Sequence, residues 1–226
     1  MQVTANYNTP QKVFGHGHRQ KNNHYTPAQK AIIATTTALG VATSCACLAK
    51  GAGYSLKPSK MFKNFKNSWF WKTDFLAKEV ISIGAGTCLG GLAGGYLVDK
   101  NPHNRKAKQR EAVMQMGNIS IPILTVAGFD KITKKHGKFA KAAGMLAGVF
   151  VGVNIANFLM NKLSNQLFHN KDERGVKLID FSAHVDDILA GASYASESET
   201  VHKIARIVPA ILVLPGFEVG TKKPDE

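Results

Sequence analysis

The stretch "VISIGAGTCLGGLAGGYLVDK", Val80–Lys100, decides between two folds. An aliphatic run followed by Gly-Ala-Gly opens a dinucleotide-binding fold. Glycine at every fourth position of an apolar run also lets two membrane helices approach closely. The nucleotide fold requires G-x-G-x-x-G after a strand, with an acidic residue ending a second strand about twenty residues on. Here Gly84, Gly86 and Gly90 read G-x-G-x-x-x-G, and Leu89 stands where the third glycine belongs. The chain continues as "NPHNRKAKQRE", which has no β-branched run, so Glu111 has no strand before it. No stretch alternates with period two, as the strands of a sheet would. The glycine-row alternative is met instead. Gly86, Gly90 and Gly94 step by four, Gly91 and Gly95 form a second row, and Gly144, Gly148 and Gly152 repeat the spacing. These residues are expected at helix–helix contacts.

Working outward, the chain has 226 residues and a net charge of +14. The basic residues crowd into polar stretches between long uncharged blocks. That pattern favours a membrane and its anionic headgroups over nucleic acid, and no nucleic-acid partner is expected. Residues 31–49, Val80–Val98, Ala112–Phe129 and Ala142–Met160 each approach the roughly 20 apolar residues that cross a bilayer. A lipoprotein-type signal ending at Cys45 is the alternative for the first block, but the polar region before it is long and Ala42 stands where leucine is wanted. Pro122 is tolerable if a neighbour satisfies the carbonyl it frees. Residues 204–220 are apolar but broken by Pro209 and Pro215, as in a kinked or re-entrant helix.

The expected fold is therefore all-α, an integral membrane protein of five to six helices. Residues 1–30 are expected to be a mobile polar and basic tail, 31–220 the helical membrane domain, and 221–226 a C-terminal tail. Charged loops are expected at 99–111, 130–141 and 161–177. "LAKEVIS" from Leu76, "FAKAAGM" from Phe139 and "IARIVPA" from Ile204 share a pattern at steps of 63 and 65 residues. They suggest a duplicated helical hairpin, with units 76–137 and 139–202. Lysines and arginines divide almost evenly between the two sides of such a topology, so charge gives no orientation. The composition suits the cytoplasmic (inner) membrane of a bacterium.

Few residues point to chemistry. Cys45, Cys47 and Cys88 lie in apolar blocks and read as small packing residues. His16 and His18 stand in a polar tail. In "KPSKMFKNFKNSWFWK", Phe62, Phe65 and Trp69 share a helical face flanked by lysines; with Trp71 they are expected at the membrane interface. "DFSAHVDD" places Asp180, His184 and Asp187 on one face of a helix over 178–195, a candidate ion or proton site; Glu199 and His202 could complete it. The alternative is a surface helix whose polar face is merely wet. No nucleophile elbow, phosphate loop or HExxH is present, so no catalytic residue and no cofactor is expected; the metal question stays open. The leading expectation is a non-enzymatic scaffold or channel or carrier subunit that could form a homo-oligomer through its glycine rows. The alternatives are a metal- or proton-dependent transporter or enzyme using the 180–187 face, and a peripheral protein binding anionic membranes.

Overall fold

The computed structural model describes residues 24–57, 69–73, 75–133, 135–169, 173–176, 180–181, 184 and 207–224, and all regular structure among them is helical. In chain order the helices are α1 (Pro27–Gly51), α2 (Trp69–Lys72), α3 (Ala77–Val98), α4 (Pro102–Thr133), α5 (Gly137–Phe168), α6 (Val208–Ile211) and α7 (Val213–Thr221). Four of them, α1, α3, α4 and α5, are long and apolar enough to cross a membrane.

Local chemistry sets several ends. The Thr26 hydroxyl accepts from Gln29 N and the Gln29 side chain accepts from Thr26 N, a reciprocal cap, and Pro27 follows at the first helical position. The first helix therefore starts inside the stretch expected to be tail. Pro102 opens α4 in the same way, and Asp99 Oδ1 accepts from Asn101 N at 3.0 Å. The expected loops 99–111 and 130–141 are largely helix, and so are residues 161–168 of the third: α4 begins at Pro102, α5 begins at Gly137, and α5 continues to Phe168. Lysine, arginine and glutamine are good helix formers, so charge marks where an apolar block stops and not where a helix stops.

Packing is antiparallel between α1 and α3, between α3 and α4, and between α4 and α5. Glycines stand at the close approaches. Gly86, Gly90 and Gly94 face α1 at Gly40 and Ser44, at Thr36 and Thr37, and at Ile33 and Thr36; a Cβ on Gly90 would stand 3.0 Å from the Thr37 Cα. Gly91 and Gly95 face Gly216 and Gly220 of α7, which runs parallel to α3. Gly144, Gly148 and Gly152 face Thr133, Val126 and Pro122 of α4. Each of these rows is covered by another helix of the same chain. Six glycines in α3 would weaken an isolated helix by roughly 1 kcal/mol apiece relative to alanine, so contacts with α1, α4 and α7 hold it.

The largest apolar cluster joins Val41, Trp69, Phe75, Val80, Ile83, Ile119, Ile123 and Leu212. Trp69, expected at a membrane interface, lies inside this cluster, edge-on to Phe75 at 5.8 Å. Its indole packs where α1 ends and α3 begins. Phe62 and Phe65 lie outside the described residues. The C-terminal apolar stretch forms two short helices meeting at Leu212, whose carbonyl accepts from Thr87 Oγ1 at 2.7 Å. Units 76–137 and 139–202 cannot be compared as a duplication, because most of 169–202 lies outside the described residues.

The glycine contacts give a paired test. Isoleucine at Gly148 must displace the α4 backbone, since even a Cβ there stands 2.7 Å from the Val126 Cα. Gly148→Ile is expected to lower stability by about 1–3 kcal/mol. Gly128 meets nothing within 4 Å, so Gly128→Ala is expected to be neutral or to add up to about 1 kcal/mol. Thermal melts of the detergent-solubilised chain check both; equal effects would remove the packing assignment.

Candidate functional site: a buried polar seam on α4

Helix α4 carries Lys108, Glu111, Gln115 and Asn118 at steps of three and four, so all four project from one face. That face is the buried one: none of the four is more than 2 % exposed. The seam runs about 15 Å along the helix axis, from the end of the bundle inward. Buried polar groups of this kind need partners, and segments distant in sequence supply most of them.

At the outer end, Lys108 Nζ donates to Tyr25 Oη (2.7 Å), Asp99 Oδ2 (3.2 Å) and the Lys222 carbonyl (3.0 Å), which engages all three ammonium protons. Tyr25 Oη in turn donates to Asp99 Oδ2 at 2.7 Å. Asn104 Nδ2 donates to the same oxygen at 2.8 Å. The start of α1, the end of α3, the start of α4 and the chain beyond α7 thus meet in one clasp. Burial alone would raise the Asp99 pKa, but the donors Tyr25, Asn101, Asn104 and Lys108 outweigh it and hold the carboxyl down at about 2. Burial, with the Asp99 carboxylate beside it, pushes the Tyr25 phenol well above its ordinary value.

One turn further in, Arg174 is the hub. Its guanidinium donates to both oxygens of Asp180, Nη1 to Oδ2 at 2.8 Å and Nη2 to Oδ1 at 2.7 Å. Nη2 also lies 3.3 Å from Glu111 Oε1 and 3.8 Å from Glu218 Oε1. Gln115 Nε2 donates to Glu111 Oε1 (3.0 Å) and Glu218 Oε2 (2.8 Å), linking α4 to α7. Asn161 of α5 holds the Arg174 backbone, accepting from its N–H at 2.9 Å and donating to its carbonyl at 2.8 Å. Burial would lower the Arg174 pKa; Asp180, Glu111 and Glu218 outweigh that and raise it, so the guanidinium stays charged.

At the inner end a proline explains a histidine. Pro122 has no N–H, so the carbonyl four residues before it, that of Asn118, has no helical donor. His184 Nε2 lies 2.6 Å from that carbonyl oxygen. A carbonyl only accepts, so Nε2 carries the proton. The Asn118 carboxamide itself is 1 % exposed, and neither its oxygen nor its nitrogen has a hydrogen-bond partner among the described residues.

Of the candidate ion or proton face, Asp180 and His184 are therefore buried and engaged by Arg174 and Asn118 respectively, while Asp187 lies outside the described residues. Among the described residues no three histidine, cysteine, aspartate or glutamate side chains are grouped to hold a metal. Sequence reasoning missed Arg174, Gln115 and Glu218, and met Glu111 only in rejecting a nucleotide fold. The 108–111–115–118 spacing was the available signal. A separate apolar cleft of about 220 Å³ lies at the opposite end of the bundle, between Phe75, Val80, Ile123, Val126 and Met145.

Fold and site together define a bundle with four helices suited to cross a membrane and an ionisable seam in its interior. Comparison of the chain with family models, with curated proteins and with solved structures finds no match.

Two tests follow from the seam. His184→Ala strands the Asn118 carbonyl and is expected to cost about 1–3 kcal/mol. Adding Pro122→Ala returns the helical N–H, so the double variant should recover most of that loss. A double variant no more stable than His184→Ala would reject the capping role. The clasp has a pH signature. The depressed Asp99 carboxyl contributes stability above its ordinary value of 3.8, and loses it as pH falls towards 2. The raised Tyr25 contributes below its ordinary value of 10.0 and loses its part as pH rises beyond it. Tyr25→Phe should cost about 1 kcal/mol near neutral pH. In melts at a series of pH values, that deficit should shrink towards both extremes; a pH-independent deficit would contradict the assignment.

Proposed function

We propose that this chain is an integral membrane protein of the channel or carrier class, without enzymatic activity, and that the seam on α4 conducts protons. The observation that carries this reading is the convergence of Glu111, Asp180 and Glu218 on the single guanidinium of Arg174, inside a bundle whose long helices have membrane-spanning length and composition. Ionisable groups inside a membrane bundle are costly and commonly mark ion or proton pathways. The linear order Lys108, Glu111, Gln115, Asn118 supplies a row of titratable and hydrogen-bonding groups from the bundle end inward. The Asn118 carboxamide, buried without a partner among the described residues, fits a place where a transported proton's hydration is handed on.

A second reading, a helix-packing scaffold, is favoured by the structural tasks of His184 and Asn161, which fasten later segments to α4 and α5.

Reconstitution into liposomes with an interior pH dye separates the two. Carrier function predicts proton flux driven by a potassium diffusion potential. Glu111→Gln or Glu218→Gln should slow it by roughly 10-fold or more. Flux in the wild type no greater than in empty vesicles would defeat the carrier reading and leave the scaffold. A sodium gradient in place of the potassium diffusion potential, read with a sodium-sensitive dye, tests whether an alkali cation is carried instead.

A further inference from the structure

We infer that the outward face of α5, centred on Asn154, docks a second copy of this chain. The inference rests on α5 crossing a bilayer. It needs no transport activity.

The helix runs from Gly137 to Phe168, so Asn154 lies within a turn of its midpoint. Gly144, Gly148 and Gly152 turn the opposite face onto α4. Around Asn154 the exposed residues are Phe150 (64 % exposed), Val151, Ile155 and Phe158 (68 %), and no charge falls between Ala142 and Asn161. Asn154 is the exposed polar residue of this face, with the half-buried Asn157 three residues on. Its Nδ2 donates to the Phe150 carbonyl at 2.8 Å, and neither its oxygen nor its remaining N–H is hydrogen-bonded among the described residues. In water such a side chain would be unremarked. Near mid-bilayer no solvent satisfies it, and an unpaired amide group in hydrocarbon is unfavourable by several kcal/mol.

A second copy resolves this with the least additional chemistry. Each carboxamide retains one donor and one acceptor after the Phe150 bond. Two such groups related by a two-fold axis are self-complementary: each N–H donates to the other's oxygen. An isologous contact at Asn154 then places Phe150 and Phe158, one turn to either side, against their own counterparts. A polar asparagine on a largely apolar helix face is a known means of fixing register and oligomeric state.

The test uses the full chain with its three native cysteines replaced by alanine or serine. In detergent and in vesicles the protein with Asn154 intact should be a dimer by mass. Phe150→Cys and Phe158→Cys should each form a disulfide between copies under mild oxidation, and Leu89→Cys, exposed on α3, should not. Asn154→Leu should raise the dimer dissociation constant about 3–20-fold with no loss of monomer stability, and Asn154→Gln should largely restore it. A protein monomeric in both media, an Asn154→Leu variant that associates as tightly as the parent, or equal crosslinking from Leu89→Cys would each overturn the dimer. A chain that stays soluble without detergent would overturn the membrane reading as well, whereas a detergent-requiring monomer would overturn the dimer alone.

Discussion

A helix with Lys108, Glu111, Gln115 and Asn118 on its buried face cannot be packed by apolar neighbours alone. Each buried polar atom left without a partner costs more than a typical hydrogen bond returns. The rest of the bundle is arranged around that requirement. Asp99 and Tyr25 meet Lys108 from the ends of α3 and α1, Arg174 approaches Glu111 from beyond α5, and Glu218 reaches Gln115 from α7. Apolar contacts and glycine approaches bring the helices close; the seam decides which segments lie beside α4 and in what register. Replacing one partner leaves a buried charge behind, which is why ionic networks of this kind tolerate single changes poorly.

The proline at 122 shows how one local defect recruits a remote residue. Removing a backbone N–H from α4 frees a carbonyl, and His184, 66 residues away, meets it. A buried backbone acceptor that the helix ladder fails is here satisfied by a side chain. Thr87 also donates to the Leu212 carbonyl, where α6 gives way to α7.

The all-helical fold was legible in the sequence because uncharged runs of membrane length leave few alternatives. Helix ends were less so. Charge at 99–111 suggested a loop, yet Pro102 and the residues after it continue as helix. Treating that stretch as a loop also hid the seam, since Lys108 and Glu111 were separated from Gln115 and Asn118 by an assumed boundary. Asp180 and His184 stood out for their chemistry, but their partners could not be read from spacing, because Arg174 and Asn118 reach them through tertiary folding. Trp69 shows a related gap. Its place beside lysines could be read from the sequence, but not that Phe75 and Val80 share its cluster.

The clasp at the end of the bundle also has a meaning in time. Lys108 leaves the ribosome 114 residues before Lys222, whose carbonyl completes its hydrogen bonds. Glu218, which accepts from Gln115, likewise follows it by 103 residues. The early helices can therefore form and pair through their glycine faces while the seam on α4 is still open on one side. Only once α7 has emerged can it pack alongside α3 and close it. α7 and the residues just after it act as the latch of the bundle, and a chain terminated before them would leave Lys108 without the Lys222 carbonyl and Gln115 without Glu218.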